Sequence, residues 1–395
     1  MKTNAFTIYL LALGVFLTAT SELVVSGILP RIAEDVNISL AVAGQLIAAY
    51  SLSFAIATPL LIVATSRMDR KPLLLCSLAV FIAGSAWSAS SSSIESLMAA
   101  RVVLGASSGM FLVVSLGIAA KLVPADRLGR AIGTIILGFS SAMILGVPLG
   151  VAIADWLSWQ AIFILLGALA AAVGAVMFRL MPGVEGDEPV PLSRQLKHAG
   201  SAVILTAFLI SLLREGGNSV FLTYISPYLQ QMLEFRTADI AFLMLALGLA
   251  GAFASRLGGG LVDRWGAART LGAFLVLHAL GMALLPFFAF STPVAVGLIA
   301  IVFIALFASG PAVQSYMIQQ APKSANLVLS LNTSVIHLGI AGGAGAGGWL
   351  INRTAEVEFH PWLAASLIAL GFAAALASFA LGRRARIRAD RRSAA

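Results

Sequence analysis

Long apolar runs separated by short polar segments make up most of the chain. Each run is long enough to cross the roughly 30 Å hydrocarbon core of a bilayer, because an α-helix rises about 1.5 Å per residue. The pattern therefore predicts an all-α membrane protein with twelve transmembrane helices. The predicted spans are 6–29, 41–64, 72–91, 95–120, 131–154, 160–180, 201–227, 238–261, 268–290, 293–319, 326–351 and 361–382.

Composition narrows the class of protein further. Of the 395 residues, 59% are hydrophobic and 11% are charged, whereas an average soluble protein carries about 25% charged residues. A soluble globule of this size could not cover its surface with so few charges, and the high hydrophobic content excludes a disordered chain. The single cysteine, Cys76, forbids an intramolecular disulfide and argues against a cysteine-based metal cluster. We expect no metal and no cofactor.

The basic residues are concentrated on one side of the predicted membrane. Nineteen lie in the predicted inner loops and the C-terminal tail, whereas the outer loops hold only Arg31, Arg236 and Arg353. This positive-inside bias predicts a multi-pass protein of the cell membrane with both termini in the cytoplasm. The net charge of +8 is therefore a topology signal and not a nucleic-acid footprint. The first run is too long for a signal peptide and carries Glu22, so we expect it to be retained.

The two halves of the chain repeat at an offset of 197 residues. Pro30 maps onto Pro227, each predicted to close the first span of its half, and Gly146 maps onto Gly343. Agreement at one offset predicts two pseudo-symmetric six-helix bundles in the same orientation, with a cavity between them. The predicted organisation is an N-terminal bundle at 1–180, a cytoplasmic linker at 181–199, a C-terminal bundle at 200–382 and a basic cytoplasmic tail at 383–395.

Several segments resemble motifs of one transporter family. GGLVDRWGAARTL at 259–271 resembles the signature loop between the second and third helices of each half in the major facilitator superfamily. LGVFLTATSELVVSGILPRIAEDV at 13–36 resembles the opening motif of its twelve-span drug/proton antiporter branch. RVVLGASSG at 101–109 and GFSSAMILGVPLG at 138–150 resemble the fourth-helix motif of proton-coupled members and the fifth-helix motif of antiporters. Within that branch, AGQLIAAYSL at 43–52 looks most like bacterial purine-base and arabinose-type efflux proteins.

The resemblance implies a proton-coupled secondary transporter that exports small molecules by alternating access. The substrate classes it suggests are a purine base or nucleoside, a sugar, or a drug, and we expect a monomer. A multidrug or antibiotic efflux pump and an importer or facilitator of the same fold stay open as alternatives. A membrane enzyme or receptor would need a soluble catalytic domain or a ligand cluster, and neither is visible in the sequence. For that reason we expect no enzyme activity. The chain also lacks the P-loop pattern of ATP-binding proteins, so we expect that ATP is not the energy source within this chain.

The signature loop supplies two candidate gates. The second copy carries Asp263 and Arg264 just before a glycine turn at the end of a predicted helix. The first copy departs from the family pattern and offers Asp69 and Arg70 from a shifted position. Two interpretations stay open: charged pairs that hold a gate, as the resemblance implies, or anchors of short inner loops.

The fifth span is predicted to form a tight seam with a neighbouring helix. Gly138, Gly146 and Gly150 are spaced by multiples of four, and glycines at this spacing let another backbone approach closely. Pro148 lacks a backbone N–H and is expected to bend the span.

Ionisable side chains inside the predicted spans are few, and each is costly enough there to suggest a function. Glu22 lies seven residues before the outer end of span one, and Arg101 lies six residues after the outer end of span four. Both therefore lie roughly 10 Å below the outer surface. We predict that Glu22 and Arg101 couple protons to transport, because movement of either helix would change which form of the acid is favoured. The alternative is a fixed internal ion pair.

Arg214 and Glu215 lie near the middle of span seven. Because adjacent helical residues point about 100° apart, we expect them to face different partners. His278 is predicted to be a packing residue with satisfied polar atoms. Few acids lack an adjacent base, so we expect a neutral, planar or hydroxylated solute rather than a permanent cation. The candidate substrate-binding residues are Gln45, Tyr50, Phe111, Arg214, Glu215, Asn218, Tyr224, Gln314, Asn332 and His337.

Overall fold

The computed structural model describes residues 2–186 and 201–393, which form fourteen α-helices. In the first half these are α1 (Lys2–Asp35), α2 (Leu40–Ala64), α3 (Arg70–Ser90), α4 (Ile94–Leu122), α5 (Ala125–Ser141), α6 (Val147–Trp156) and α7 (Trp159–Leu180). In the second half they are α8 (Ala202–Leu222), α9 (Ile225–Leu233), α10 (Thr237–Trp265), α11 (Ala267–Leu284), α12 (Thr292–Gln320), α13 (Ala325–Thr354) and α14 (His360–Ser393). A π-helical turn, Ala142–Gly146, joins α5 to α6, and 3₁₀ turns lie at Leu285–Phe288 and Pro322–Ser324.

Twelve of these segments are long and apolar enough to cross a membrane. They are α1 to α4, the joined pair α5 and α6, α7, α8, and α10 to α14. The part of the chain that the structure describes contains no β-strand. The prediction of a twelve-span all-α membrane protein is therefore confirmed, and the even number of spans returns the chain to the side on which it started.

Large apolar side chains cover the outside of the helices. Trp156, Phe242, Phe253 and Phe290 are 81%, 75%, 72% and 85% exposed. A soluble protein rarely leaves many such side chains in water, whereas lipid tails solvate them at no cost. The exposed surface therefore fits a bilayer.

Serine side chains mark the beginning of three helices. Ser39, Ser93 and Ser158 lie in extended backbone immediately before α2, α4 and α7. Each side chain accepts a hydrogen bond from a backbone N–H in the first turn, which satisfies one of the donors that a helix start leaves unpaired. The short polar breaks between the apolar runs therefore fix where these helices begin.

The end of α1 is held by the turn between α6 and α7. Asp35 Oδ2 accepts hydrogen bonds from Trp159 Nε1 at 2.8 Å and from Gln160 Nε2 at 2.9 Å. Arg31 forms an ion pair with Asp155. These contacts tie the first span to the fifth and sixth.

Two of the predicted helix ends lie elsewhere in the structure. Pro30 lies inside α1, which continues to Asp35. The first span of the second half ends at Leu222 rather than at 227, and Pro227 lies within the separate helix α9. A proline removes one intrahelical hydrogen bond, but neighbouring helices can keep the rest of the turn in place. For this reason, the prolines alone did not locate the helix ends.

The fifth span is interrupted by the π-helical turn, which directly precedes Pro148 in α6. A proline ring clashes with the carbonyl four residues earlier in a regular α-helix. A π turn shifts the hydrogen-bond register and relieves such a clash. The irregularity expected at Pro148 is thus a wider turn just before the proline.

Contacts divide the chain into two compact units. The first unit contains α1 to α7 together with Thr223–Gly248 and Gly348–Val357; within it, α4 packs against α2 and α3, and α1 packs against α5. The second unit contains α8, Leu249–Gly347 and the chain from Glu358 onward; within it, α8 packs against α14, and α11 packs against α12.

The first residues of the predicted linker are hydrogen-bonded to the beginning of α3. The backbone N–H of Arg70 donates to the carbonyl oxygen of Val184 at 2.7 Å, and Lys71 Nζ donates to the carbonyl oxygen of Met181 at 2.5 Å. Residues 187–199 of the linker and residues 394–395 of the tail lie outside the described residues. The predicted domain limits therefore stay a prediction.

Candidate functional site

Arg101 of α4 is 1% exposed and joins three helices at one point. Its Nη1 donates to the carbonyl oxygen of Ser21 in α1 at 2.8 Å, and its Nε donates to the carbonyl oxygen of Leu46 in α2 at 3.3 Å. The guanidinium carbon lies 4.3 Å from the centroid of the Tyr50 ring, also in α2. A guanidinium can donate hydrogen bonds in its plane and stack on an aromatic face at the same time, which is the geometry seen here.

Glu22 of α1 lies beside this arginine. It is buried, and its carboxylate interacts electrostatically with Arg101 and with Tyr50. The Tyr50 hydroxyl donates to the carbonyl oxygen of Thr18 at 3.3 Å, so Tyr50 also links α2 to α1. The structure thus brings together the two residues predicted to couple protons and adds Tyr50, which was predicted as a substrate residue. We call Ser21, Glu22, Tyr50 and Arg101 the Glu22–Arg101 cluster.

Two polar groups of the Glu22–Arg101 cluster lack a hydrogen-bond partner among the described residues. They are Arg101 Nη2 and the Ser21 hydroxyl. Buried polar groups are normally paired, with water where protein does not suffice. The cluster therefore keeps hydrogen-bonding capacity that a water molecule or a rearrangement of α1 would use.

Two glycines bring α4 close enough to α2 for Arg101 to reach its partners. Gly105 and Gly109 follow Arg101 at intervals of four residues and therefore share its face of the helix. A Cβ atom at Gly105 would collide with the carbonyl oxygen of Tyr50, and one at Gly109 would collide with the hydroxyl of Thr58. The segment RVVLGASSG therefore supplies both the buried cation, Arg101, and the glycines that let α4 approach α2 closely enough to bury it.

The fifth span packs on α1 through its predicted seam. A Cβ atom at Gly146 would collide with the side chain of Thr20, and one at Gly150 would collide with Val24. These two α1 residues flank Glu22. The helix that carries the candidate proton-binding residue is therefore in direct contact with the segment that resembles the antiporter motif.

The second half repeats this contact at the predicted offset. A Cβ atom at Gly343 of α13, the counterpart of Gly146, would collide with the carbonyl oxygen of Gly216 in α8 and lie 2.8 Å from Ser219 Cβ. The Ser219 hydroxyl donates to the carbonyl oxygen of Ile340 at 2.8 Å. In each half, the fifth span therefore packs closely on the first span at the matching glycine.

Phe111 of α4 was predicted as a substrate-binding residue. Its side chain is fully buried, and its ring occupies the space next to Gly14 of α1 that a Cβ atom would need. In this structure Phe111 therefore packs one helix against another.

Arg214 and Glu215 of α8 form an ion pair with each other. Arg214 Nη1 also donates to the carbonyl oxygen of Leu306 at 3.0 Å and to the hydroxyl of Ser309 at 2.7 Å, both in α12. The two residues do lie towards different helices, since Arg214 bonds to α12 whereas the Cβ of Glu215 lies close to Gly339 of α13, but their side chains also pair with each other. Both side chains are long and flexible enough to meet in spite of the angle between their Cα–Cβ bonds. Ser309 was missed, because a lone serine on an apolar helix carries no signal.

His278 of α11 was expected to be a packing residue with satisfied polar atoms. Its side chain is fully buried, but neither ring nitrogen has a hydrogen-bond partner within the described residues. His278 is therefore buried as expected for a packing residue, but its polar atoms are not satisfied within the described residues.

Two candidate substrate residues of the first unit come together. Tyr224, in the break between α8 and α9, is fully buried, and its hydroxyl occupies the space beside Gly44 of α2. A Cβ atom at Gly348 would lie 2.6 Å from Gln45 Nε2 and 2.9 Å from the Tyr224 hydroxyl. Gln45 and Tyr224 thus share one small polar region, which the absence of side chains at Gly44 and Gly348 makes possible.

The remaining candidate substrate residues lie on three helices of the second unit. Asn218 of α8 and Asn332 of α13 are buried, and the Asn332 side-chain oxygen has no partner in the described part of the chain. His337 Nδ1 lies 2.9 Å from the carbonyl oxygen of Thr333, one turn earlier in α13. Gln314 of α12 is exposed. Their role in substrate binding stays a prediction.

The candidate gate residues lie at helix ends. Asp69 immediately precedes α3, and Arg70 begins it with a buried side chain. Asp263 and Arg264 are exposed in the last turn of α10. Gly266 follows with φ of +83°, a conformation that side chains rarely permit, so the glycine makes the tight turn possible.

The sequence as a whole matches one family model. The model for the Major Facilitator Superfamily matches residues 11–344, a region that includes Glu22, Arg101, Arg214 and His278. The chain belongs to the Major Facilitator Superfamily. This is a family of transporters rather than of enzymes, so this superfamily member is a multi-pass membrane transporter for a small-molecule substrate.

Curated relatives of this superfamily member match it over nearly its whole length. The uncharacterised MFS-type transporter YbcL of Bacillus subtilis (strain 168) is 33% identical over 379 residues, covering 95% of this chain and 96% of the relative. A protein named chloramphenicol resistance protein, from Streptomyces lividans, is 29% identical over 373 residues, covering 92% of this chain and 93% of the relative.

A solved structure supports the major facilitator fold. The chain is similar to a bacterial homologue of the human lysosomal transporter Spinster, determined in an inward-facing and occupied conformation. The TM-score is 0.78 at 16% sequence identity, and the match covers 97% of each chain. At this identity the likeness establishes the fold alone.

Proposed function

We propose that this transporter exports a small solute in exchange for protons, with Glu22 as the residue that carries the proton. The observation that supports the proposal is the Glu22–Arg101 cluster: an acid and a base, both buried in membrane-spanning helices, interact across α1 and α4. A buried ionisable pair in a membrane helix is costly, so its presence argues for a function.

The geometry supports a simple coupling. Arg101 donates to the carbonyl oxygen of Ser21, the residue next to Glu22, and is thereby tied to the same helix as the acid. When a proton neutralises Glu22, Arg101 loses its negatively charged neighbour. The arginine is then stabilised mainly by its hydrogen bonds to carbonyl oxygens and by its contact with the Tyr50 ring, so these contacts would become closer. Protonation would then shift α1 relative to α4, and alternating access would release the proton on the other side.

The contact between α1 and the fifth span supports exchange rather than leak. Gly146 and Gly150 press the span against Thr20 and Val24, next to Glu22. Close packing beside a proton-binding residue excludes water from one side of it. A proton on Glu22 would then leave only when α1 moves with its neighbours.

For the substrate we propose a neutral solute that is planar or hydroxylated. Glu22 interacts with Arg101 and Glu215 pairs with Arg214, which leaves little free negative charge for a permanent cation. Amide, hydroxyl and imidazole groups at Gln45, Asn332 and His337 offer hydrogen bonds to such a solute. Purine bases, nucleosides and pentoses fit this description.

Antibiotic export is the second candidate. It is favoured by the similarity to the chloramphenicol resistance protein of Streptomyces lividans. Chloramphenicol is itself an uncharged aromatic molecule with hydroxyl groups, so both candidates share the expectation of a neutral substrate.

The test is proton-driven transport by the purified protein in proteoliposomes. Radiolabelled adenine, arabinose and chloramphenicol are each offered with an imposed pH gradient, and the direction of flux is read from vesicles of known orientation. We expect accumulation of one of these solutes by the natural protein and none by Glu22→Gln. Glu34→Gln changes an exposed acid of the same helix and should transport normally. Full accumulation by Glu22→Gln would refute the role of Glu22, and flux that ignores the pH gradient would refute proton coupling.

A further inference from the structure

The residues that directly follow α7 lie along the end of the first unit at which α3 begins and α4 ends. The side chains of Met181 and Val184 are buried there, with 3% and 6% exposed. The carbonyl oxygen of Met181 accepts a hydrogen bond from Lys71 Nζ at 2.5 Å, and that of Val184 accepts one from the backbone N–H of Arg70 at 2.7 Å. We call residues 181–186 the linker strap.

The first part of the linker strap is firmly anchored. Arg70 lies in the first turn of α3, where a backbone N–H has no acceptor in its own helix, so Val184 supplies the acceptor that the helix start lacks. Lys71 places a positive charge beside the last carbonyl groups of α7, where the helix dipole favours it. Burial of the two apolar side chains adds to these bonds. This part of the strap should therefore stay in place.

The last two residues of the linker strap are bound to α4 through an exposed lysine. Lys121 Nζ, in the last turn of α4, donates to the carbonyl oxygen of Glu185 at 2.7 Å and to that of Gly186 at 2.8 Å. The side chains of Lys121 and Glu185 are both exposed. Water competes for hydrogen bonds at such a site, and a free lysine side chain regains many rotamers. These bonds are therefore the part of the strap that opens at the lowest cost.

The linker strap also lies directly on the loop between α2 and α3. A Cβ atom at Gly186 would lie 2.8 Å from the carbonyl oxygens of Arg67 and Met68, which is closer than a side chain permits. The absence of a side chain at Gly186 thus allows the strap to touch the main chain of this loop. When Lys121 is bound, the strap joins the end of α4 to the loop.

The second unit has a different arrangement at the matching positions. At the repeat offset of 197 residues, the counterpart of Met181 is Ser378, which lies inside the continuous helix α14. The turn of the second signature loop is made by Gly266, with φ of +83°, whereas Asp69 at the matching position of the first loop has φ of −57°. The first loop therefore lacks the glycine turn of the second, and it is contacted by the strap instead.

We propose that the linker strap is a latch with Lys121 as its clasp. In the conformation described, the latch holds the end of α4 against the loop between α2 and α3, and it opens when α4 moves. Because α4 is one helix, Ile94–Leu122, a displacement of Arg101 is transmitted to Lys121. The role of opening in transport rests on the proposed coupling through Glu22, which moves α1 relative to α4. The closed latch does not depend on that coupling.

The clasp depends on the donor at position 121 and not on the side chains of the strap. Both acceptors are backbone carbonyl oxygens, so a replacement of the Glu185 side chain leaves them in place. An ammonium and a guanidinium both offer several charged N–H donors, whereas a glutamine amide is uncharged and offers fewer. Lys121→Arg should therefore keep the latch closed, and Lys121→Gln should open it.

Spin labels on the full-length protein in liposomes test whether Lys121 closes the latch. In a Cys76→Ser background, one label is attached at Glu185→Cys or at Gly183→Cys, which are both exposed positions. We expect the label at position 185 to be restricted in this background, to become mobile in Lys121→Gln and to be restricted again in Lys121→Arg. The label at position 183 lies in the anchored part and should not respond. Arg130→Gln, which removes an exposed positive charge from α5, should change neither spectrum.

Cross-linking tests whether the latch must open during transport. In the same background, a bifunctional thiol reagent that a reductant cleaves joins Lys121→Cys to Glu185→Cys. Flux is measured in proteoliposomes with whichever of adenine, arabinose and chloramphenicol the natural protein carries. We expect the cross-link to abolish flux and the reductant to restore it. A monofunctional reagent on the same variant cannot bridge the two helix ends and should leave flux intact.

The outcomes separate the latch from the proposed function. A label at position 185 that is mobile before Lys121 is changed would overturn the latch, as would one that ignores Lys121→Gln or responds equally to Arg130→Gln. Full flux through the cross-linked protein would overturn it too, and so would an unlinked variant without flux, because an open latch should not stop transport. The spectra require no transport, so a failure of Glu22→Gln to block proton-driven flux would refute the proposed function alone.

Discussion

The guanidinium of Arg101 lies 4.3 Å from the centre of the Tyr50 ring, and the backbone carbonyl of the same tyrosine closes against Gly105 one turn further along α4. One residue of α2 thus contacts α4 through both its side chain and its main chain. This relationship fixes the height of the arginine relative to α1, where Glu22 and the carbonyl of Ser21 lie. Function and packing therefore depend on the same few atoms.

Arg101→Lys keeps the positive charge but removes the planar group that stacks on Tyr50 and bonds to two helices at once. A lysine ammonium cannot reproduce this geometry, so one carbonyl oxygen would be left without its donor. We expect a loss of about 1–3 kcal/mol in the free energy of unfolding and a fall in proton-driven transport of tenfold or more, about 1.4 kcal/mol. Thermal unfolding in detergent and flux in proteoliposomes measure the two effects. Arg130→Lys, at an exposed arginine of α5, should change neither; equal effects at both positions would show that the Arg101 site is not special.

Gly105→Ala should destabilise the first unit, because its Cβ atom would collide with the backbone carbonyl of Tyr50, which cannot rotate away. Gly117→Ala, on the same helix, meets nothing within 4 Å and replaces glycine by a better helix former. We expect a lower unfolding temperature for the first variant and an equal or higher one for the second. Comparable unfolding temperatures for both would mean that α4 and α2 do not approach as closely as described.

Gly146→Leu should disrupt the contact between the fifth span and α1, because a leucine side chain has no room beside Thr20. We expect the variant to reach the membrane, to lose most proton-driven transport and to let protons leak, which a pH-sensitive dye trapped in proteoliposomes would detect. Gly133→Leu, in the same span, meets nothing within 4 Å and serves as the control. Normal transport without a proton leak in Gly146→Leu would show that the contact between the fifth span and α1 is not needed for proton-driven transport.

The substrate proposal predicts a resistance profile. A sensitive host that expresses the protein should tolerate toxic purine analogues or chloramphenicol better than the same host without it, and should gain little against ethidium-like cations. The reason is that Glu22 interacts with Arg101 and Glu215 pairs with Arg214, so that both acids offer little to a permanent positive charge. Growth at graded concentrations of each compound measures the profile, with Glu22→Gln as the inactive control. Resistance confined to lipophilic cations would favour a multidrug pump instead.

The sequence by itself determined the membrane class and the number of spans. Apolar runs of the required length have no other stable solution in a bilayer, since every backbone polar group must be paired within the chain. It also predicted the proximity of Glu22 and Arg101, because the rise per residue converts sequence positions into depth when the helix ends are clear. The match of Gly146 with Gly343 came from the repeat and is visible in how each packs on the first span of its half.

Only the tertiary structure decided which side chains of neighbouring helices contact each other. Depth follows from counting residues, but the partner of a buried side chain depends on the rotation of each helix about its axis and on how closely its neighbour approaches. Arg214 reaches Ser309 on α12, although the two positions are far apart in sequence, and the buried His278 has no hydrogen bond among the described residues. The helix break after Leu222 and the π turn before Pro148 were likewise hidden, because tertiary packing decides whether a helix continues through a residue that weakens it.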